Sequence, residues 1–96
     1  MTTVYITAAT ETQTVDPGYS IYLIDATSGN ITLTLPDINS DGLWFLFRRI
    51  DTINANSVTI QGYSSGQTID GLANFVLTPS AQEAATASYG GVWYRL

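Results

Sequence analysis

The sequence predicts an all-β domain, an antiparallel β-sandwich or a short barrel of jelly-roll type. Three observations predict it. Asn30 to Leu35 alternates strictly, with Ile31, Leu33 and Leu35 on one side and Asn30, Thr32 and Thr34 on the other, the period of a strand with one buried face. Turn-forming clusters rich in Gly, Asn, Asp and Ser recur every eight to twelve residues, the spacing of all-β folds. Leu43 to Ile50 is apolar on both faces and rich in aromatic and β-branched residues, which suits a strand inside a sandwich better than a helix.

Taken in order, Thr2 to Ala8 alternates with Val4 and Ile6 inward and reads as an edge strand or a swapped arm. Thr10 to Val15 is threonine-rich and weakly strand-like. Asp16-Pro17-Gly18 is a turn, since proline presets φ and the glycine beside it tolerates the conformations a turn demands. Residues 1–18 are therefore read as an N-terminal strand or arm, and residues 19–96 as the core sandwich of one domain. Tyr19 to Pro36 organises that core: two β-rich runs flank Ala26-Thr27-Ser28-Gly29-Asn30. The expected structure is a β-hairpin, ended by Pro36, which cannot donate to a ladder.

Asp37 to Gly42 is a loop. After Leu43 to Ile50 comes a turn, Asp51 to Asn56, and then Ser57 to Gln61, with Val58 and Ile60 inward. Gly62 to Gly66 is a loop, Thr68 to Gly71 a short strand and turn, and Asn74 to Thr78 a strand stopped by Pro79. Residues 80–88 carry conflicting signals. Ser80 and Glu83 fit a helical capping box with alanines behind them. Gly90-Gly91, however, is a two-residue hairpin turn into Val92 to Leu96. In that hairpin Tyr89 would face Val92, Ala87 Tyr94 and Ala85 Leu96. No tandem repeat of fixed period is visible.

Composition narrows the function. Hydrophobic residues make up 45% of the 96, and only 11% are charged. Mean hydropathy is +0.12. Roughly 25% charged is usual for a soluble domain, so a second copy is expected to cover part of the surface. The net charge is −5, and the cations are Arg48, Arg49 and Arg95. Phosphate-backbone binding scales with the cations offered, so neither nucleic acid nor an anionic membrane is an expected partner. Without cysteine or histidine, thiolate sites, the commonest zinc ligand and the usual general base are missing. No cofactor is expected. The start of the chain lacks the basic region of a secretion signal.

Four chemical readings compete with plain structural ones. Asp37, Asn39 and Asp41 with Gly42 match the first half of a calcium loop. The position for the bidentate glutamate is Arg48, however, so an Asx-rich turn is the simpler account. The eight carboxylates sit mostly in turn sequences, which weakens a glycosidase-like pair. Gly62 to Gly66 has the letters of a nucleophile elbow but no histidine partner, so a small hydrolase is the remote alternative. Trp44, Trp93, Tyr63, Tyr89 and Tyr94 could build a sugar platform. Tyr63, in a glycine and serine loop, is the expected ligand contact. Arg48 and Arg49 are expected to form an inter-strand or inter-subunit ion pair with Asp25 or Asp51.

Several segments occur in the order found in a family of small β domains. Leu23-Ile-Asp-Ala-Thr-Ser-Gly-Asn-Ile-Thr-Leu-Thr-Leu-Pro36 is followed by Arg48-Arg49-Ile50-Asp51, Asn56-Ser-Val-Thr-Ile60, Thr68-Ile-Asp-Gly71 and Trp93-Tyr94. In this the chain resembles viral and bacteriophage tail-fibre, spike and minor structural proteins over about Tyr19 to Leu96. Two departures are the short run from Glu83 to Trp93 and the aromatic Leu43 to Phe47. The resemblance implies a non-enzymatic structural component of a virus particle: a fibre or spike head, or a minor capsid or decoration protein. It would be homotrimeric, in contact with other virion proteins, made in the host cytoplasm and used in attachment to a host glycan or receptor. The alternative is a carbohydrate-binding module.

Overall fold

The computed structural model describes residues 3–7, 12–16, 20–39, 41–63, 66–79 and 83–96. They form nine strands: β1 (Thr3–Ile6), β2 (Thr12–Thr14), β3 (Ile21–Ile24), β4 (Ile31–Thr34), β5 (Trp44–Arg49), β6 (Val58–Gln61), β7 (Asn74–Leu77), β8 (Glu83–Tyr89) and β9 (Val92–Arg95). One sheet has the order β1-β3-β5-β8-β9 and the other β2-β4-β6-β7. Pro17 and Gly18 of the expected turn, Tyr19, and the Ser80 to Gln82 part of the capping box lie outside the described residues.

The expected hairpin at Tyr19 to Pro36 is not formed. β3 and β4 lie in different sheets, and the residues between them cross the sandwich as an arch. The chain alternates between sheets through β6, so like strands stack in parallel: β1 on β3 on β5, and β2 on β4 on β6. The fold is thus a sandwich of two mixed sheets, not an antiparallel or jelly-roll one. β7, β8 and β9 add the antiparallel pairs. Alternation is the same for either pairing direction; what differs is where the turn sends the chain. Tyr22 and Ile24 face the core from one sheet, and Ile31 and Leu33 face it from the other. An arch lets both runs bury their apolar sides against each other, whereas a hairpin would put both in one sheet.

The stacked coils are a repeat whose period changes. Ile21 pairs with Leu46, 25 residues on, and Thr3 pairs with Ile21 after 18. The sequence does not announce it, because arches and loops of different length separate similar strands.

Glu83–Tyr89 is strand, which resolves the conflict over that run in favour of β structure for its described part. Tyr89 pairs with Val92 and Ala87 with Tyr94, and Leu96 N donates to Ala85 O at 2.9 Å. Gly90 and Gly91 have φ of 62° and 81°, the left-handed pair that a two-residue hairpin turn of matching twist requires. The inward residues of β8 are Ala84, Thr86 and Ser88. Their small size makes room for Phe45, Phe47 and Trp93, all at most 1% exposed. Phe45 lies 5.8 Å from Trp93 and 6.2 Å from Phe47, centroid to centroid.

The segment after β6 closes one side. Gly62 N donates to Ala73 O, and Asp70 N and Trp93 N donate to Trp93 O and Thr68 O. Asp70-Gly71, at φ 52° and 81°, makes a tight turn that seats buried Ile69 beside β9.

Candidate functional site

The most concentrated polar chemistry lies where the arches stack. Arg49 ends β5 on its inward face and is 1% exposed. Its Nε donates to Asp51 Oδ1 at 3.0 Å, and its Nη2 to Asp51 Oδ2 at 3.0 Å. This is a two-point grip, the strongest geometry for the pair. The guanidinium also donates to the carbonyls of Leu77, Ile53 and Asn56 at 2.8–3.0 Å. Asp51 accepts the amides of Ala26 at 2.9 Å and Ile53 at 3.1 Å. The hydrogen bonds from Arg49 hold the Asp51 carboxyl well below the usual carboxylate range; burial opposes them, and the two amides add to them.

Asn56 extends the network, its Nδ2 donating to Ala26 O at 2.6 Å. Asn30 Oδ1 accepts from Ser57 N at 2.8 Å. One buried ion pair therefore joins the β3–β4 arch, the β5–β6 arch and the end of β7. Each charged atom is occupied by a framework partner, which leaves neither group poised for proton transfer.

Of the four residues expected to form ion pairs, Arg49 and Asp51 are brought together. Arg48 instead pairs with Glu83, across β5 and β8, at 3.4 Å and in the open. Asp25 accepts from Thr27 N and Oγ1 and holds its own turn. The missed residues are Asn56 and Glu83. Asn56 reads as an ordinary turn residue, and Glu83 gains its partner only through the β5–β8 pairing.

The candidate calcium residues serve separate neighbours. Asp37 Oδ1 accepts from Gln67 Nε2, and Asp41 Oδ1 accepts from Gly90 N at 2.9 Å. Asn39 is exposed, and Ser40 lies outside the described residues. Among the described residues no three potential metal ligands of the His, Cys, Asp and Glu types gather. Ser64 and Ser65 of the elbow-like loop also lie outside the described residues.

The aromatic candidates divide. Trp93 is in the core, fully buried. Tyr63 stands on the loop after β6, 52% exposed. Trp44, Tyr89 and Tyr94 share the outer face of the five-stranded sheet. The inward burial of Phe45, Ser88 and Trp93 sets that orientation by strand alternation.

The two outer faces of the sandwich differ. That of the four-stranded sheet is polar at its centre: Thr32 pairs with Thr59, Thr34 with Gln61 and Gln61 with Asn74. The five-stranded sheet presents Tyr5, Ile21, Leu23, Trp44, Leu46, Ala85, Ala87 and Tyr94. Its charged members, Arg48 and Glu83, neutralise each other in one corner.

No protein-family model and no curated protein sequence matches the chain.

Proposed function

We propose that the chain is a non-enzymatic structural domain of a virus particle, a fibre or spike head or a decoration protein, that assembles as a homotrimer. The observation that carries this reading is the broad apolar outer face of the five-stranded sheet. A sheet face of this breadth whose charges are confined to one ion pair in a corner is poorly matched to water, and a partner surface relieves it. The segments on which the family resemblance rests support the same reading. Asp25 to Asn30, Arg49 to Asp51, Asn56, Asp70-Gly71 and Trp93 are all framework residues, spent on arches, turns and core. Function then comes from shape and avidity: three identical copies each contact a weak ligand on the host surface. The other virion proteins and a host glycan or receptor are the partners this reading implies.

The test is absolute mass by light scattering after gel filtration. The expected mass is three times 10.4 kDa; a monomer at micromolar concentration overturns the trimeric reading. A second reading, a carbohydrate-binding module, is favoured by Trp44, Tyr89 and Tyr94 sharing one face, since sugars stack on such rings. A glycan array separates the two, because only the module would bind a glycan through that face and lose it in Tyr94→Ala.

A further inference from the structure

The middle row of the apolar face has an ordered profile. Strand register sets Thr3, Ile21, Leu46 and Ala85 side by side across β1, β3, β5 and β8. The Leu96 N to Ala85 O bond adds Leu96 beyond them. Read across the sheet, the sizes run small, large, large, small, large. Reversed, the same row places Leu96 against Thr3, Ala85 against Ile21 and Leu46 against itself. Every pair but the central one sets a large residue against a small one, and at the centre Leu46 meets Leu46.

We propose that this face is the contact between copies of the chain, with Ile21 of one copy seated over Ala85 of the next, in the dip between Leu46 and Leu96. This rests on the reading of the chain as a self-assembling domain and names the surface that does it. A rotation axis running along the strands and close to β5 brings β3 of one copy over β8 of its neighbour. In a ring of three, each copy gives its β1–β3 half to one neighbour and its β8–β9 half to the other, and the Leu46 side chains meet on the axis. A heterologous contact of this kind closes without leaving an open face.

The face is of moderate size. Five strands about 4.8 Å apart, with about five residues each at about 3.3 Å, span roughly 24 by 17 Å. Side-chain relief raises the accessible area above that projection; a ring of three divides it between two neighbours, so each pairwise contact is smaller than the ~800 Å² per partner of a standard interface, and the three contacts act together. Charge does not oppose it. Six of the eight carboxylates (Asp16, Asp25, Asp37, Asp41, Asp51 and Asp70) lie in turns and arches outside the strands, and Glu83 is paired with Arg48.

The experiment compares Ile21→Lys, Ala85→Glu and the double variant with the parent chain by light scattering at micromolar concentration. Each single variant puts an unpaired charge in the contact, and the mass should fall to that of one chain. The double variant pairs lysine with glutamate across the same contact and should regain the parent mass. Single variants that keep the parent mass overturn this inference and leave the trimeric reading standing, whereas a monomeric parent overturns both. Because a single variant could fail to fold, a cysteine pair gives a second measurement. The chain has no cysteine, and positions 21 and 85 are two strands apart, about 10 Å, beyond the reach of an intrachain disulfide. Ile21→Cys with Ala85→Cys should give covalent oligomers on a non-reducing gel. A band of one chain's mass under oxidising conditions overturns the inference.

Discussion

At the scale of residues, Asp51 is the side chain with most at stake. It is buried and charged, and it accepts from Arg49, Ala26 and Ile53. Breaking a buried pair leaves its partner uncompensated and costs about 3–5 kcal/mol. Asp51→Asn removes the charge, keeps the volume and turns an amide NH2 toward two of the four N–H donors that the carboxylate accepts. The stability read from urea unfolding at pH 7 should drop by about that energy. The pH dependence carries a definite sign. A carboxyl whose folded value is depressed contributes stability that is complete above its unfolded value, near 3.9, and is lost as pH falls below it. The parent chain should therefore lose stability steadily in acid, and the gap between parent and Asp51→Asn should narrow. A gap that stays constant from pH 7 to pH 3 would mean that Asp51 matters only for its shape. Arg49 stands two residues from Asp51 in the sequence, which made the pair a fair expectation. Nothing local shows that Ala26, 25 residues earlier, closes the same carboxylate, since that bond exists only once two arches stack.

At the scale of elements, strand content was readable and strand partnership was not. The apolar alternation of Ile31 to Leu35 and of Val58 to Ile60 reports a buried face, and the structure has strands at both. The direction of pairing comes from the turns. Six residues between β3 and β4 can close a hairpin or cross a sandwich, and the arch wins because the neighbouring arch supplies Asp51 and Asn56 to bind its backbone. Gly62 marks another turn with a steric requirement. A Cβ there would overlap the carbonyl oxygen of Gln67, which is backbone and cannot swing aside. Gly62→Ala should lower stability by about 1–3 kcal/mol, the usual cost of overpacking, with an unchanged denaturant slope. A neutral result would mean that the loop from β6 to Ile69 shifts freely. By contrast, the register of the Gly90-Gly91 hairpin was legible to the residue once its first strand is granted, because two adjacent left-handed glycines permit few other turns; the strand itself competed with the helical signals of Ser80 to Ala87.

At the scale of the whole molecule, the sandwich has one polar outer face and one apolar outer face, and its two tryptophans report on different places. Trp93 is sealed in the core. Trp44 is half-buried on the apolar face. Acrylamide quenching should therefore separate them. In Trp44→Phe the remaining emission should be blue-shifted and resist quenching at every concentration. In the parent chain the quenchable part should shrink as concentration rises and copies cover Trp44. Quenching independent of concentration, across a range in which the mass changes, would place Trp44 outside the contact.

Side-chain alternation and composition were enough to establish that this chain is a β protein, which residues of its clearest strands face inward, and that its few charges sit mainly in turns. These are local properties, written in the order and kind of the residues. Folding in three dimensions settled the rest: successive strands cross the sandwich and stack in parallel, Arg49 and Asp51 lock two arches, and Trp44 and Leu46 share an outer face with Ala85. Those outcomes depend on hydrogen bonds between segments far apart in the chain, and an alternating strand carries no mark of which neighbour will supply them.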